Sequence, residues 1–188
     1  MANVNHTIID KARCAFKDEN GKQCSKKSTL THPYCEEHTE SELGFIVKKS
    51  LVENAGLGLF TTRKYKRGDV VVEYTGEVLT TEQYNKRYDK EGYGEYGMTL
   101  GKNKVIDARK TSSGLARYIC DAYGSDLKKN VQYEEHDGKI EVVAIKKIKP
   151  GDEFLVSYGK EIRISMGIQQ PKEKKKDKKK KDKKKKNK

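Results

Sequence analysis

Gly151-Asp152-Glu153-Phe154-Leu155-Val156-Ser157-Tyr158-Gly159 is a short apolar strand that delivers a lone tyrosine hydroxyl just before a glycine. It emerges from Lys149-Pro150-Gly151-Asp152, where proline followed by glycine suits a type II turn, and Lys139-Ile140-Glu141-Val142-Val143-Ala144-Ile145 on the far side is a β-branched strand. Further out, Phe45-Ile46-Val47-Lys48-Lys49-Ser50, Gly58-Leu59-Phe60-Thr61-Thr62 and Asp69-Val70-Val71-Val72-Glu73-Tyr74 read as short strands, the last bounded by Gly68 and Gly76. Residues 80–90 form the one helical candidate, capped by Thr80 or Thr81 and stopped by Gly92 and Gly94. Lys66-Arg67-Gly68-Asp69 before a strand ending in Tyr74 echoes Lys149-Pro150-Gly151-Asp152 before Tyr158, which reads as two similar turn-to-strand junctions rather than a repeat. The pattern predicts a mainly β domain of many short strands.

The chain has 188 residues, of which 34% are hydrophobic, enough for one modest core and an appendage. Its net charge of +13 divides unevenly: residues 171–188 hold 13 Lys against Glu173, Asp177 and Asp182, a net +10, so residues 1–170 carry only +3. The basic excess belongs to the tail, and the function of the folded part is not argued from total charge. That tail has no aromatic residue and no Arg, so it lacks stacking platforms and bidentate base readers and reads as a solvated polycation. Met1-Ala2-Asn3-Val4-Asn5-His6 has no basic flank and no apolar stretch behind it, and no run approaches the roughly 18 apolar residues of a membrane span. An intracellular protein without membrane contact is expected, and in that reducing setting cysteines point to metal ligation or packing rather than disulfides.

Three of the four cysteines stand early, as Cys14-x9-Cys24-x10-Cys35-x2-His38. Three thiolates and one imidazole are the ligand set of a closed tetrahedral Zn2+ site, and four protein ligands leave no position for a reactive water, so the metal is structural. Metal binding would supply most of the folding free energy of so polar a segment. His32 is a competing imidazole left outside the shell. The plainer alternative is a set of thiols in an unstructured arm.

From Phe45 to Gly159 the sequence resembles the SET domain of protein-lysine methyltransferases. The matching blocks are Ala55-Gly56-Leu57-Gly58-Leu59-Phe60, Gly68-Asp69 with Glu73-Tyr74-Thr75-Gly76-Glu77, Asp107-Ala108 with Ala116-Arg117-Tyr118-Ile119, and the 151–159 run, in the family's order. The resemblance implies a SET fold of several small sheets with a knot-like C-terminal crossing, preceded by the zinc knuckle. The implied divisions are an arm over residues 1–9, a knuckle over 10–40, the SET domain over 44–160, a lid of the lysine channel over 161–170 and the tail over 171–188. The implied activity is methyl transfer from S-adenosyl-L-methionine to a lysine side chain of a histone or another basic chromatin protein, in the nucleus or on chromatin. By the same resemblance Tyr158 is the catalytic tyrosine and Tyr74 a channel tyrosine, while Ala55, Gly56, Leu57, Gly58, Tyr96, Cys120 and Asp121 hold the cofactor. Glycines at 56 and 58 suit this, since backbone without a Cβ can approach a ligand closely.

Two departures stand out. The family commonly has Asn-His-Ser after Arg-Phe-Ile, whereas here Tyr118-Ile119 leads into Cys120-Asp121-Ala122, which exchanges an amide for a thiol. No cysteine follows Tyr158 in these 188 residues, so a zinc-bound segment closing the channel is not expected from them. Ile162, Ile164, Met166 and Ile168 offer a lid, and a second subunit in a homodimer or the N-terminal knuckle are alternatives. The lysine tail could add nonspecific nucleic-acid contact. Set against the enzyme is a catalytically inactive SET-like module that docks on chromatin or nucleic acid through the knuckle and tail. A zinc hydrolase is disfavoured by the lack of an open-site His/Glu set.

Overall fold

The computed structural model describes residues 7–90 and 92–165; the 171–188 tail, residues 1–6 of the arm, and Met166 and Ile168 of the expected lid lie outside the described residues. Fifteen named elements follow in chain order: β1 (Ala12–Arg13), β2 (Lys27–Ser28), α1 (Glu36–His38, continuing through a wider turn over Thr39–Leu43), β3 (Phe45–Lys49), β4 (Leu57–Thr61), β5 (Val70–Glu73), β6 (Glu77–Thr80), α2 (Thr81–Arg87), β7 (Gly97–Leu100), β8 (Lys104–Asp107), β9 (Cys120–Asp121), β10 (Val131–His136), β11 (Lys139–Ala144), β12 (Leu155–Val156) and α3 (Lys160–Ser165). They form five small sheets: β1-β2, β3-β4, β10-β11-β5, β6-β8-β7 and β12-β9. The expected small-sheet architecture is therefore present.

The 151–159 run threads between two parts of the chain. Phe154 N–H donates to Leu59 O at 2.8 Å, and Glu153 bridges Phe60 antiparallel, which ties the run to β4. Beyond it, β12 pairs parallel with β9, Leu155 opposite Cys120 and Val156 opposite Asp121. Parallel pairing needs a long connection. The 120–155 excursion supplies it, and it contains the β10-β11 hairpin, closed by Asp137 (φ 48°) and Gly138 (φ 72°) as a two-residue turn of left-handed residues.

Phe45, Leu59, Ile119, Val131, Val142, Ile148 and Phe154 are buried together as the core. Phe154 meets the rings of Phe45 and Tyr65 edge-on at 6.0 and 5.7 Å, and each such ring contributes roughly 1.5–3 kcal/mol by leaving water. Buried polar groups fix the crossing. Asn130 Nδ2 donates to Glu153 O at 2.7 Å while its Oδ1 accepts from Leu155 N at 2.8 Å. The Glu153 carboxylate accepts from Ser50 Oγ (2.6 Å) and Leu51 N (2.8 Å).

The expected helix is shorter than read. Thr80 caps it in a reciprocal box, accepting from Gln83 N at 3.1 Å while Gln83 Oε1 accepts from Thr80 N at 2.9 Å. It ends at Tyr88, well before Gly92, because Arg87 and Tyr88 turn to Asp107, each 2.8 Å from its Oδ2. Both echoed turns share one construction: Gly68 and Gly151 have φ of 92° and 89°, and Asp69 and Asp152 each accept from the backbone N–H three residues earlier.

Candidate active site and metal centre

A cavity of about 680 Å³ opens between the 54–57 loop, the Ala116–Tyr118 turn with β9, and α3. The loop bends back through Asn54 (φ 61°) and Gly56 (φ 78°), with Ser50 N–H donating to Gly56 O at 2.9 Å. A Cβ on Gly56 would meet nothing, so this backbone is open to a ligand. Gly58 is different: it does not line the cavity, and a Cβ there would lie 2.2 Å from Glu153 Oε1. Its missing side chain makes room for a buried carboxylate, not for an incoming ligand.

Seven tyrosines line the cavity, among them Tyr74, Tyr96, Tyr133 and Tyr158. Tyr74 Oη donates to Tyr96 O at 2.9 Å, and Tyr158 Oη donates to Ile119 O at 2.8 Å. Tyr133 meets Tyr74 edge-on at 5.6 Å. Burial pushes the phenols of Tyr74, Tyr133 and Tyr158 well above their ordinary value, and neighbouring groups of like sign, Cys120 foremost for Tyr158, add to it. All three are neutral hydrogen-bond donors at physiological pH. Arg117, itself buried, lays its guanidinium over the Tyr96 ring at 4.1 Å and donates from Nε to Ala108 O at 2.8 Å.

Cys120 joins two walls, its Sγ donating to Leu57 O at 3.3 Å. Burial raises its thiol to about 11, so it is an uncharged weak donor rather than a nucleophile. Asp121 is turned to other work. Its carboxylate takes a two-pronged hydrogen bond from Arg163 of α3, Nε to Oδ2 at 2.6 Å and Nη2 to Oδ1 at 3.1 Å, and Oδ1 also accepts from Tyr123 N at 3.0 Å. Arg163 further donates to Ser157 Oγ at 2.7 Å and stacks on the Tyr123 ring at 4.0 Å. This brings Ile162 to the cavity wall, where it stays partly exposed, as does Ile164 away from the cavity. Tyr118 also lines the cavity, and its buried hydroxyl meets no hydrogen-bond partner at ordinary distance among the described residues. Such a group suits a cavity built for a polar ligand.

A family model described as the SET domain matches residues 56–159, more than half of the chain. The chain belongs to the SET domain family. Histone-lysine N-methyltransferase EZH2 of Chaetomium thermophilum is 32% identical over 122 residues, which is 61% of this chain and 8% of that protein. Histone-lysine N-methyltransferase trr of Drosophila melanogaster is 33% identical over 106 residues, 55% of this chain and 4% of its own length. The solved structure of ctPRC2 in an autoinhibited conformation bound to S-adenosylmethionine matches with a TM-score of 0.52 and 31% identity over 62% of this chain and 15% of that one. The chain thus spans under a tenth of the length of these two sequence relatives.

Within this SET domain the structure brings Ala55, Gly56, Leu57, Tyr74, Tyr96, Cys120, Asp121 and Tyr158 to one cavity and leaves Gly58 behind its wall. Sequence reading missed Tyr133 and Arg163 and gave no role to Arg117 and Tyr118. Tyr133 alternates with buried Val131 on β10, a signal present in the sequence once that strand is recognised.

The metal centre stands apart from the cavity. Ligand atoms of Cys14, Cys24, Cys35 and His38 all lie within 4.8 Å of one another. His38 Nδ1 is 3.5 Å from Cys14 Sγ and 3.3 Å from Cys35 Sγ, spacings that match the edges of a tetrahedron with Zn–S near 2.3 Å and Zn–N near 2.0 Å. The set fits Zn2+ with no open position. Local chemistry presents the donors: Asp18 Oδ1 accepts from Asn20 N and Lys22 N to make the first turn, with Gly21 at φ 76°, and Cys35 starts α1 so that His38 returns to the same side. Cys35 N–H and Lys26 N–H donate to the sulfurs of Cys14 and Cys24, and Phe16 stacks on the His38 ring at 3.8 Å. Although burial pushes the Cys14 thiol up, hydrogen bonds from Cys35, Phe16 and His38 outweigh it and bring it down to about 7, close to the thiolate a metal needs. His32 lies outside this set, its Nε2 3.1 Å from Asp10 O. Among the described residues no helix is long and apolar enough to cross a membrane.

Proposed function

We propose that this chain transfers a methyl group from S-adenosyl-L-methionine to the side-chain amine of a protein lysine, with a histone or another basic chromatin protein as substrate. The observation that carries the reading is the convergence of Tyr74, Tyr96, Tyr133 and Tyr158, two of them with hydroxyl protons committed to backbone carbonyls, beside an open glycine loop. The cofactor, when bound, supplies an electrophilic methyl on a sulfonium. Ala55, Gly56 and Leu57 would hold it from one wall and Cys120 and Asp121 through their backbone from the other, with Tyr96 and the buried Tyr118 hydroxyl nearby.

The remaining work falls to the chain's own side chains. A tyrosine-walled passage strips water from an entering ammonium and lowers its pKa from about 10.4, so the amine gives its proton to solvent. Tyr158 keeps its own proton, donated to Ile119 O, and its oxygen remains able to accept C–H contacts and to orient the amine. Tyr74, tethered to Tyr96 O, fixes the facing wall. We assign the lid to α3, clasped through Arg163 and Asp121, so closure requires neither a second subunit nor the knuckle. The division into arm, knuckle over 10–40, catalytic body over 44–160, lid and tail follows from this, with the protein acting on chromatin in the nucleus.

The test is calorimetric binding of S-adenosylmethionine followed by transfer of tritiated methyl to histone octamers. Binding with transfer is expected, and no binding at several hundred micromolar cofactor overturns the reading. Tyr158→Phe should keep cofactor binding while transfer falls by about 100-fold or more; undiminished transfer removes Tyr158 from its role. Cofactor binding without transfer to any basic protein would favour the inactive docking module, to which the Cys120 substitution is the one pointer.

A further inference from the structure

The two echoed turns meet in space. Val70 pairs with Val143; beyond it Gly68 N donates to Ala144 O (2.8 Å) and Ala144 N to Asp69 O (2.9 Å), a bulge of two residues against one, and past the 66–69 turn Tyr65 and Ile148 exchange bonds of 3.1 and 3.0 Å. These contacts bring the 64–69 segment beside the 146–152 segment, so that Lys64, Lys66, Arg67, Lys146, Lys147 and Lys149 gather around the Tyr65–Ile148 pair. All six cations are exposed, and no salt bridge joins any of them among the described residues. The two acids in reach, Asp69 and Asp152, have a carboxylate oxygen engaged by the backbone of their own turns, at Lys66 N (2.6 Å) and Lys149 N (2.8 Å). Lys146 Nζ donates to Lys128 O at 3.3 Å, which brings exposed Lys128 and Lys129 alongside.

Residues 64–69 and 146–152 hold six cations and two acids, a net +4, while residues 1–170 as a whole carry +3. The small positive excess outside the tail is therefore concentrated at one end of the β5-β11 ladder, and none of these residues lines the tyrosine cavity. Like charges crowded together without counter-charges repel one another. A polyanion would remove that repulsion. No free ring is available for base stacking, since Tyr65 is packed edge-on against Phe154 at 5.7 Å. Lysines without stacking rings fit evenly spaced backbone phosphates rather than unstacked bases. We propose that this two-turn basic ridge is a sequence-independent docking surface for the phosphate backbone of a nucleic-acid duplex, separate from the lysine tail and from the cavity.

The test uses the full chain, tail included, and a labelled 30-base-pair mixed-sequence duplex, with binding read by fluorescence anisotropy across a sodium chloride series. A ridge variant carries Lys66→Gln, Arg67→Gln, Lys146→Gln and Lys147→Gln; a charge-matched control carries Lys86→Gln, Lys90→Gln, Lys102→Gln and Lys104→Gln. The ridge variant should bind about ten-fold or more weakly near physiological salt, and its slope of log affinity against log salt should be shallower by about 3. The control should change far less. Relief of the crowded cations should leave the ridge variant's thermal midpoint unchanged or raised, which separates lost docking from lost folding. Equal effects from ridge and control, or no duplex binding by the parent chain at low salt, overturn the proposal. Duplex RNA tried in parallel identifies the source: tighter RNA binding with the same ridge dependence assigns the phosphates to RNA, and weaker RNA binding assigns them to DNA. Neither arm depends on methyl transfer.

Discussion

The knuckle and the body reach order by different means. Between residues 10 and 43 the buried side chains are Cys14, Ser28, Thr31, Cys35 and Thr39, two thiols and three hydroxyls, whereas the body packs Phe45, Leu59, Phe60, Val142, Ile148 and Phe154 into an apolar interior. Hydroxyls and thiols contribute little by leaving water. The knuckle's order must come from its ligand set, and what little it adds to the core is the partial burial of Leu30 and Leu43 against the body. One region is organised around a point and the other around an area. Their responses to perturbation should differ accordingly.

Metal removal is the largest expected effect. Structural zinc is worth roughly 10 kcal/mol or more to segments of this kind. Cys35→Ser, or treatment with a strong chelator, should abolish hydrogen-exchange protection at Cys14, Cys24 and Thr39, whose amides donate within the knuckle, while Val131 and Val142 of the body remain protected. Protection that survives a chelator in residues 10–43 would break the contrast, since the knuckle would then hold itself together through packing.

Next in size is the clasp of α3, where an ion pair rather than a core joins an element to the body. Both side chains are largely shielded, at 16% and 7% exposure, and a forked charge-assisted pair of this kind is worth about 1.5–3 kcal/mol. Arg163→Ala should therefore free α3 to exchange and raise the KM for the cofactor by about ten-fold, with a smaller change in kcat. Arg163→Lys should recover part of this, because one ammonium cannot replace both prongs. Unchanged exchange in α3 together with unchanged KM would show that the helix is not held by this pair and does not serve as the lid.

The same contrast governs what the sequence disclosed. Four metal ligands within 25 positions are legible because their spacing is local chemistry. Strands β3, β4, β5 and β11 were legible through runs of apolar and β-branched residues. The β6-β8-β7 sheet was not: Glu77–Thr80, Gly97–Leu100 and Lys104–Asp107 are four-residue strands of mixed polarity, recognisable only once paired. The β10-β11 hairpin carried an overlooked signal, Asp137-Gly138, which supplies both left-handed residues of its turn. At the cavity, Tyr74 and Tyr158 stood in recognisable blocks, but Tyr133, one of 11 tyrosines, is marked only by its alternation with Val131 on a strand that the sequence reading did not recognise. Asp121 read as a departure at a cofactor position, and its partner Arg163 lies 42 residues away. Gly58 was read as room for a ligand when the demand comes from Glu153, 95 positions on. A contact made across the fold leaves no spacing to read.

The smallest effect tests whether the contrast also runs inside the body. Helix α2 buries none of its residues, so like the knuckle it rests on polar contacts: the Thr80–Gln83 box at its start and Arg87 with Glu77 and Asp107 at its end. Loss of a cap side chain typically costs about 1 kcal/mol when replaced by alanine and only a few tenths when replaced by glycine, which frees the backbone to be solvated. Thr80→Ala should lower stability in urea titration by about 1 kcal/mol and Thr80→Gly by less, with the denaturant slope unchanged. The order of the two variants is the informative part. If glycine costs more than alanine, the requirement at position 80 is the backbone of β6 rather than the cap, since Thr80 is also the last residue of that strand and pairs with Lys104. Equal and negligible losses would mean that the Arg87 pair to Asp107, whose carboxylate is fully buried, holds α2 without help from its cap.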